Sequence, residues 1–223
     1  MADPTIPEVR DRVKQLRDKL PASIDIRELN VWSKAPYQLL SVHHALIWRT
    51  EELARNACDA LEKEDFTVAA VLARAVTENA ALLWKILELL ETRDKYSPKD
   101  FSDLLLKALV GSKQWEEAPD PFNVLTCLDH MDKKIPGVRA NYDSLSEMSH
   151  PNWSGVFGSY STTDKEKYIT HFGRGLRGAD TRKNMITNSI MASLQLFESA
   201  YDRISEITIT FIAELKKIDP DKK

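Results

Sequence analysis

The chain has 223 residues, 43% of them apolar, which is enough to fill one core, so a single domain over 1–223 is the expectation. A formal charge of −3 and an isoelectric point near 6.0 exclude a global field that would draw in nucleic acid or an anionic membrane; such a partner must be held by a local patch. Cys58 and Cys127 stand far apart and outside any CxxC pattern, which argues against a disulfide framework and a zinc knuckle.

A reducing, cytoplasmic setting fits those cysteines. The first residues, MADPTIPEVRDR, contain no apolar export segment. No window reaches the roughly 20 uninterrupted apolar residues of a membrane span, so no membrane partner is expected.

Pro7, followed by Glu8, Val9 and Arg10, opens a short charged helix that stops near Pro21, and residues 1–21 read as an N-terminal arm or flap. From Ser33, with Pro36 in the first turn, Leu39, Val42, Leu46, Leu53, Ala57 and Leu61 keep a helical rhythm to about Glu64. Asp65 then reads as the N-cap of a second long helix, its carboxylate accepting from free N–H groups of the first turn. That helix runs through Leu90 and stops before Ser97 and Pro98. It is apolar nearly all round, except that Arg74, Glu78, Lys85 and Glu88, at offsets of 0, 4, 11 and 14, share one narrow stripe.

A shorter helix follows over 97–111, then a polar loop to Pro121 holding Trp115. Two further short helices occupy 123–133 and 137–150, the second ended by Pro151. Between 152 and 178 the pattern changes: five of the seven glycines lie there, and residues 156–160 and 167–170 alternate weakly around a polar centre, as a small β-hairpin or irregular loop would. Asp180 reads as the cap of a last, very long helix, with Ile186, Ile190, Leu194, Phe197, Tyr201, Ile204, Phe211 and Leu215 on one face. The expectation is an all-α bundle of three long helices and several short ones, with a glycine-rich insert near 152–178.

Several candidates for chemistry stand out. Gly173 to Gly178 matches GxGxxG, but no buried parallel strand precedes it and no βαβ unit closes after it, so a flexible turn is the expected reading. Lys165, Lys167, Arg174, Arg177, Arg182 and Lys183 make this the most basic stretch and a candidate contact for nucleic acid or phosphate, with a solvated mixed-charge loop as the alternative. Glu147 and His150 form a lone ExxH, whereas a di-iron bundle needs two. His43 and His44 are adjacent, about 100° apart on a helix, and cannot chelate one metal from the same face. Neither cysteine nor any serine has a nucleophile's setting. No metal and no cofactor is expected.

Two motifs remain: Arg74 with Glu78 on the apolar helix, and the run from Tyr142 through Leu145, Ser146 and His150 to Pro151. Arg139, Asp143, Ser146 and His150 share a stripe at spacings of 4, 3 and 4, while Leu145 and Met148 point elsewhere, into the core. A buried arginine must be paired, so Glu78 or a group from that stripe should satisfy Arg74. R-x-x-x-E on a long apolar helix and Y-x-x-L-S-x-x-x-H-P at the end of a later one resemble bacterial helical-bundle families grouped around the HEPN superfamily, over about a third of the chain.

The resemblance implies a helical bundle, often a homodimer, in a superfamily where many members are metal-independent ribonucleases of defence, toxin and RNA-processing systems and others are noncatalytic. Catalytic members carry an arginine followed four to six residues later by histidine, and no such pair occurs in this chain. His150 as acid or base, with Arg74 or Arg139 stabilising a phosphorane-like charge and Glu78 a further candidate, is therefore an expectation from the clustering of these residues and not from a matched motif. A ribonuclease or RNA- or nucleotide-handling protein requires Arg74, Glu78 and His150 to converge in a reachable cleft or dimer groove. A noncatalytic interaction or dimerisation module would seal and fully hydrogen-bond the same residues. Trp32, Trp48 and Trp115 add aromatic surface for a dimer face.

Overall fold

The computed structural model describes residues 3–29 and 31–217. In chain order these form α1 (Ile6–Asp18), α2 (Ile26–Leu29), α3 (Ala35–Glu62), α4 (Phe66–Glu91), α5 (Pro98–Val110), α6 (Val124–Lys134), α7 (Val138–Ser149) and α8 (Phe157–Tyr160). A hairpin of β1 (Ser161–Asp164) and β2 (Ile169–Phe172) follows, and α9 (Ala179–Lys217) completes an all-α fold with a small insert.

A helix that is apolar on every side has to be surrounded, and α4 is: α3, α5, α6, α7 and α9 all pack on it. Ala69, Ala70, Ala73 and Ala80 let neighbouring backbones come close, and Val76, Leu83, Ile86 and Leu90 fill the space between them with no exposed surface. By length and composition alone its 26 residues could cross a membrane, but its apolar window is mostly buried inside the bundle. Helix α9 is the longest partner, and Ile190, Leu194, Phe197 and Ile204 seal against α3 and α4 with no solvent exposure.

The N-terminal arm is docked, not loose. Thr5 and Glu8 close a reciprocal capping box at the start of α1, with Glu8 accepting from the Thr5 N–H at 2.7 Å. Ile6, Val9, Val13 and Leu16 then bury one face against α3 and α9. Its cations meet acidic partners along that seam: Arg10 with Asp59 at 2.6 Å and Glu62 at 2.7 Å, Arg12 with Glu198 at 2.8 Å, Arg17 with Glu51 at 2.6 Å.

Three local expectations are corrected. Asp65 does not cap α4 with its side chain; the carboxylate is bound instead by Arg174 at 2.5 Å, a stronger charge-assisted partner than a first-turn N–H. Asp180 lies inside the first turn of α9, where its charge still suits the positive end of the helix. The strands sit at 161–164 and 169–172, paired antiparallel with Ser161 opposite Phe172, while residues 157–160 close into a helical turn. Ser161 favours that turn, because its hydroxyl donates to the Phe157 carbonyl at 2.6 Å.

Phe197→Ala, at the centre of the α9 seam, is expected to cost about 3–5 kcal/mol. The readout is the midpoint of urea unfolding at an unchanged slope. A loss under about 1 kcal/mol would mean that the seam is not the core of the bundle.

Candidate functional site

Arg74 and Glu78 stand one turn apart on α4, on the face that α7 covers, and α7 brings Tyr142 onto them. The Tyr142 hydroxyl donates to Glu78 Oε1 at 2.9 Å and accepts from Arg74 Nε at 3.1 Å. Arg74 Nε also reaches Glu78 Oε1 at 3.2 Å, and its guanidinium carbon lies 5.3 Å from the centre of the Tyr142 ring. Burial works against the charged Arg74, but the Tyr142 hydroxyl and the Glu78 carboxylate outweigh it and hold its pKa above the ordinary value. Burial, and then the Glu78 carboxylate, push the Tyr142 phenol up as well. Arg74 Nε, Glu78 Oε1 and the Tyr142 hydroxyl bond one another, while the terminal guanidinium nitrogens and Glu78 Oε2 have no protein partner among the described residues. Arg74 and Glu78 are each half-buried, and Glu78 alone also borders a groove of about 250 Å³ with Arg49, Asn79 and Phe122.

His150 and Arg139 are not part of this cluster. His150 is the C-cap of α7 and is exposed, eight residues beyond Tyr142, which puts it about 12 Å further along the helix axis. Its carbonyl accepts from the Asn152 N–H at 2.8 Å in a turn so tight that a Cβ at Gly155 would collide with it. Arg139 clamps the surface between α6 and α7, bonding Asp129 at 2.6 Å and Asp143 at 3.0 Å. Those bonds raise its pKa, Asp143 most. Exposure of His150 is what acid–base chemistry needs; the convergence of His150 with Arg74 and Glu78 does not occur within the protomer.

The remaining candidates resolve individually. Glu147 of the ExxH accepts from Asn152 Nδ2 at 2.7 Å and braces the same turn. In the GxGxxG run, Gly175 and Gly178 have φ of +65° and +58°, a left-handed conformation that glycine takes without strain, and the run is a turn leading into α9. Of the six basic residues of the stretch, Arg174 holds Asp65, Arg182 donates to the carbonyls of Gly158 and Ser159, and Lys167 lies 3.7 Å from Asp164. Arg177 lies over the Trp153 ring at 5.7 Å, and Lys165 and Lys183 are exposed. Burial, then Arg177, lowers the Arg182 pKa. Arg174 and Arg182 therefore latch the insert to the bundle, Lys167 and Arg177 make their contacts within the stretch itself, and Lys165 and Lys183 are left facing outward.

His43 is buried against Tyr201, ring centres 3.7 Å apart, and its Nε2–H donates to the Tyr201 carbonyl at 3.0 Å, while Nδ1 has no partner. Burial pushes its pKa down to about 4 from an ordinary 6.5. The unfolded chain therefore binds this proton more readily. The stability contributed by neutral His43 is complete above pH 6.5 and is lost as pH falls toward 4, in total about 3 kcal/mol. A His43→Phe variant should flatten that part of the stability profile in urea titrations at pH 4 to 7; an unchanged slope would remove His43 as its source.

Two features were not assigned from the sequence. Tyr142 is the group that closes the Arg74 and Glu78 pair, and the signal for it was its place in the quoted Tyr142 to Pro151 run. The exposed aromatic side chains of the insert, Trp153, Tyr168 and Phe172 foremost, were hidden in a stretch read for its charge. Tyr142→Phe removes one hydroxyl from the cluster and is expected to destabilise the fold by about 1–2 kcal/mol, measured by urea unfolding; no change would mean that the α4 and α7 contact does not depend on it. No protein-family model, curated protein or solved structure matches the chain.

Proposed function

We propose that this chain is a noncatalytic interaction module of the cytoplasm, in which the polar residues of the bundle fix how the helices pack and the insert meets the partner. The observation that carries this reading is that Arg74 Nε, Glu78 Oε1 and the Tyr142 hydroxyl bond one another, two helical turns away from His150. A site for phosphoryl transfer needs donors aimed at a place where substrate charge develops. Here the guanidinium and carboxylate are aimed at each other. The noncatalytic branch of the HEPN-like resemblance is consistent with that arrangement.

The metal-independent ribonuclease reading keeps one observation in its favour, the exposed imidazole of His150. RNA cleavage assays in the presence of a chelator separate the two. The expected outcome is no cleavage by either the native chain or His150→Ala. Cleavage by the native chain that falls at least about a hundredfold in His150→Ala would replace the module with a nuclease, since general acid–base groups contribute about that much.

A further inference from the structure

The groove that Glu78 borders is built by three parts of the bundle at once. Leu46 and Arg49 come from α3, Glu78 and Leu82 from α4, and Phe122 from the residues leading into α6. Spacings of three on α3 and four on α4 put each pair on one helix face. The third wall is held as well. Asn123 caps α6 by accepting from the Leu125 N–H at 2.9 Å, and the Lys107 ammonium of α5 lies 5.2 Å from the centre of the Phe122 ring.

Two opposite charges border this groove with bonding capacity left over. Arg10, Arg12, Arg17 and Arg139 each reach a carboxylate, whereas Arg49 reaches none among the described residues. Its Nη1 donates to Asn79 Oδ1 at 2.8 Å, and Asn79, only 4% exposed, donates in turn to Thr50 Oγ1 at 3.0 Å. A buried neutral amide therefore sets the guanidinium in place and leaves its charge unmatched, with Nε and Nη2 as spare donors. Glu78 carries the complementary remainder. Its Oε1 is taken by Arg74 and Tyr142, and Oε2 has no protein partner among the described residues. Arg49 is exposed and Glu78 half-buried, so both are reachable from solvent, yet they form no ion pair with each other.

We propose that this groove binds a free α-amino acid with an apolar side chain, a ligand site in the bundle that goes beyond the interaction-module reading and does not depend on it. The carboxylate takes the spare donors of Arg49, the ammonium donates to Glu78 Oε2, and the side chain lies against Leu46, Leu82 and Phe122. The volume of about 250 Å³ sets the size, since pockets for drug-sized ligands run to roughly 300–1,000 Å³. A nucleotide is too large. A carboxylate of the same shape without the ammonium leaves Glu78 Oε2 without a donor, and an amine without the carboxylate leaves Arg49 unmatched. The carboxylate contact is the stronger of the two, because Arg74 already balances part of the Glu78 charge at 3.2 Å.

Isothermal titration calorimetry of the full chain with L-leucine, L-methionine and L-phenylalanine tests this. At least one should bind with a dissociation constant below about 1 mM. If that one is leucine, leucinamide should bind about tenfold or more weakly and 4-methylpentanoate about threefold or more weakly, the scale of hydrogen bonds to charged groups; the corresponding amide and des-amino acid serve for the other two. Arg49→Gln should weaken the amino acid about tenfold and leave its amide unchanged, a split that misfolding would not produce. The comparison among ligands needs no variant, so it stands even if Arg49→Gln does not fold. Three amino acids that all fail to bind below about 1 mM overturn the proposal. So does an amide or des-amino acid that binds as tightly as the amino acid itself, or a folded Arg49→Gln chain that binds it with native affinity.

Discussion

Everything in this fold answers to the burial of α4. A helix apolar around its whole circumference has no face to give to water, so every neighbouring segment is recruited to cover it. The few polar side chains on it must then find partners inside the protein or carry a desolvation cost of about 1–3 kcal/mol each. Most find partners on the helices that cover α4, and Lys85 meets Glu88 on α4 itself. Arg74 and Glu78 meet Tyr142 of α7, Thr77 shares a hydrogen bond with Ser193 of α9 at 2.9 Å, and Asn79 donates to Thr50 of α3 at 3.0 Å. Glu88 meets Lys134 of α6 at 2.8 Å. Apolar contacts alone would tolerate a helix sliding by one turn; these pairs would not, because a slide leaves several buried groups unsatisfied together.

That constraint explains why Arg74 and Glu78 close on each other and on Tyr142 while His150 stands apart at the end of α7. A half-buried arginine is stable only when its charge is met, and on α4 the nearest acceptors are Glu78, one turn on, and whatever the covering helix supplies. The covering helix supplies a phenol. Once Tyr142 bridges the pair, Arg74 Nε and Glu78 Oε1 are turned toward each other, and His150 stands two turns away at the helix end. The same logic governs Asp65. A carboxylate at the start of a long helix can cap it, but Arg174 brings a full charge to the same place, and the carboxylate becomes the anchor for the insert instead.

The helices were legible because they are set by short-range rules. Pro36 in the first turn of α3, Ser97 ahead of α5, Asn123 ahead of α6 and Pro151 after α7 mark boundaries that hold, and the apolar rhythm of α9 is its buried face. Leu145 and Met148 point into the core as their phase requires. What failed depended on long-range choices: the partner of Asp65 lies 109 residues away, and nothing local distinguishes a capping aspartate from one held by a distant arginine. The strand bounds moved for a local reason. Ser161 can serve either a strand or the turn before it, and the bond to the Phe157 carbonyl decides. The closure of the polar cluster was half legible, since the spacing of Arg74 and Glu78 requires them to meet, whereas the arrival of Tyr142 depends on how α7 crosses α4.

Bundle and insert therefore divide the chemistry of the chain between them. In the bundle, polar groups are consumed in holding helices to one another. In the insert the order is reversed: Arg174, Arg182 and Tyr160 are consumed in holding the base, and the apolar side chains are left outside. Folding alone gives no reason to keep Tyr168 and Phe172 in water at the tip of a hairpin with two open edges, where they neither fill a core nor cover one. Exposed aromatic side chains gathered in one segment are the composition that interaction surfaces favour.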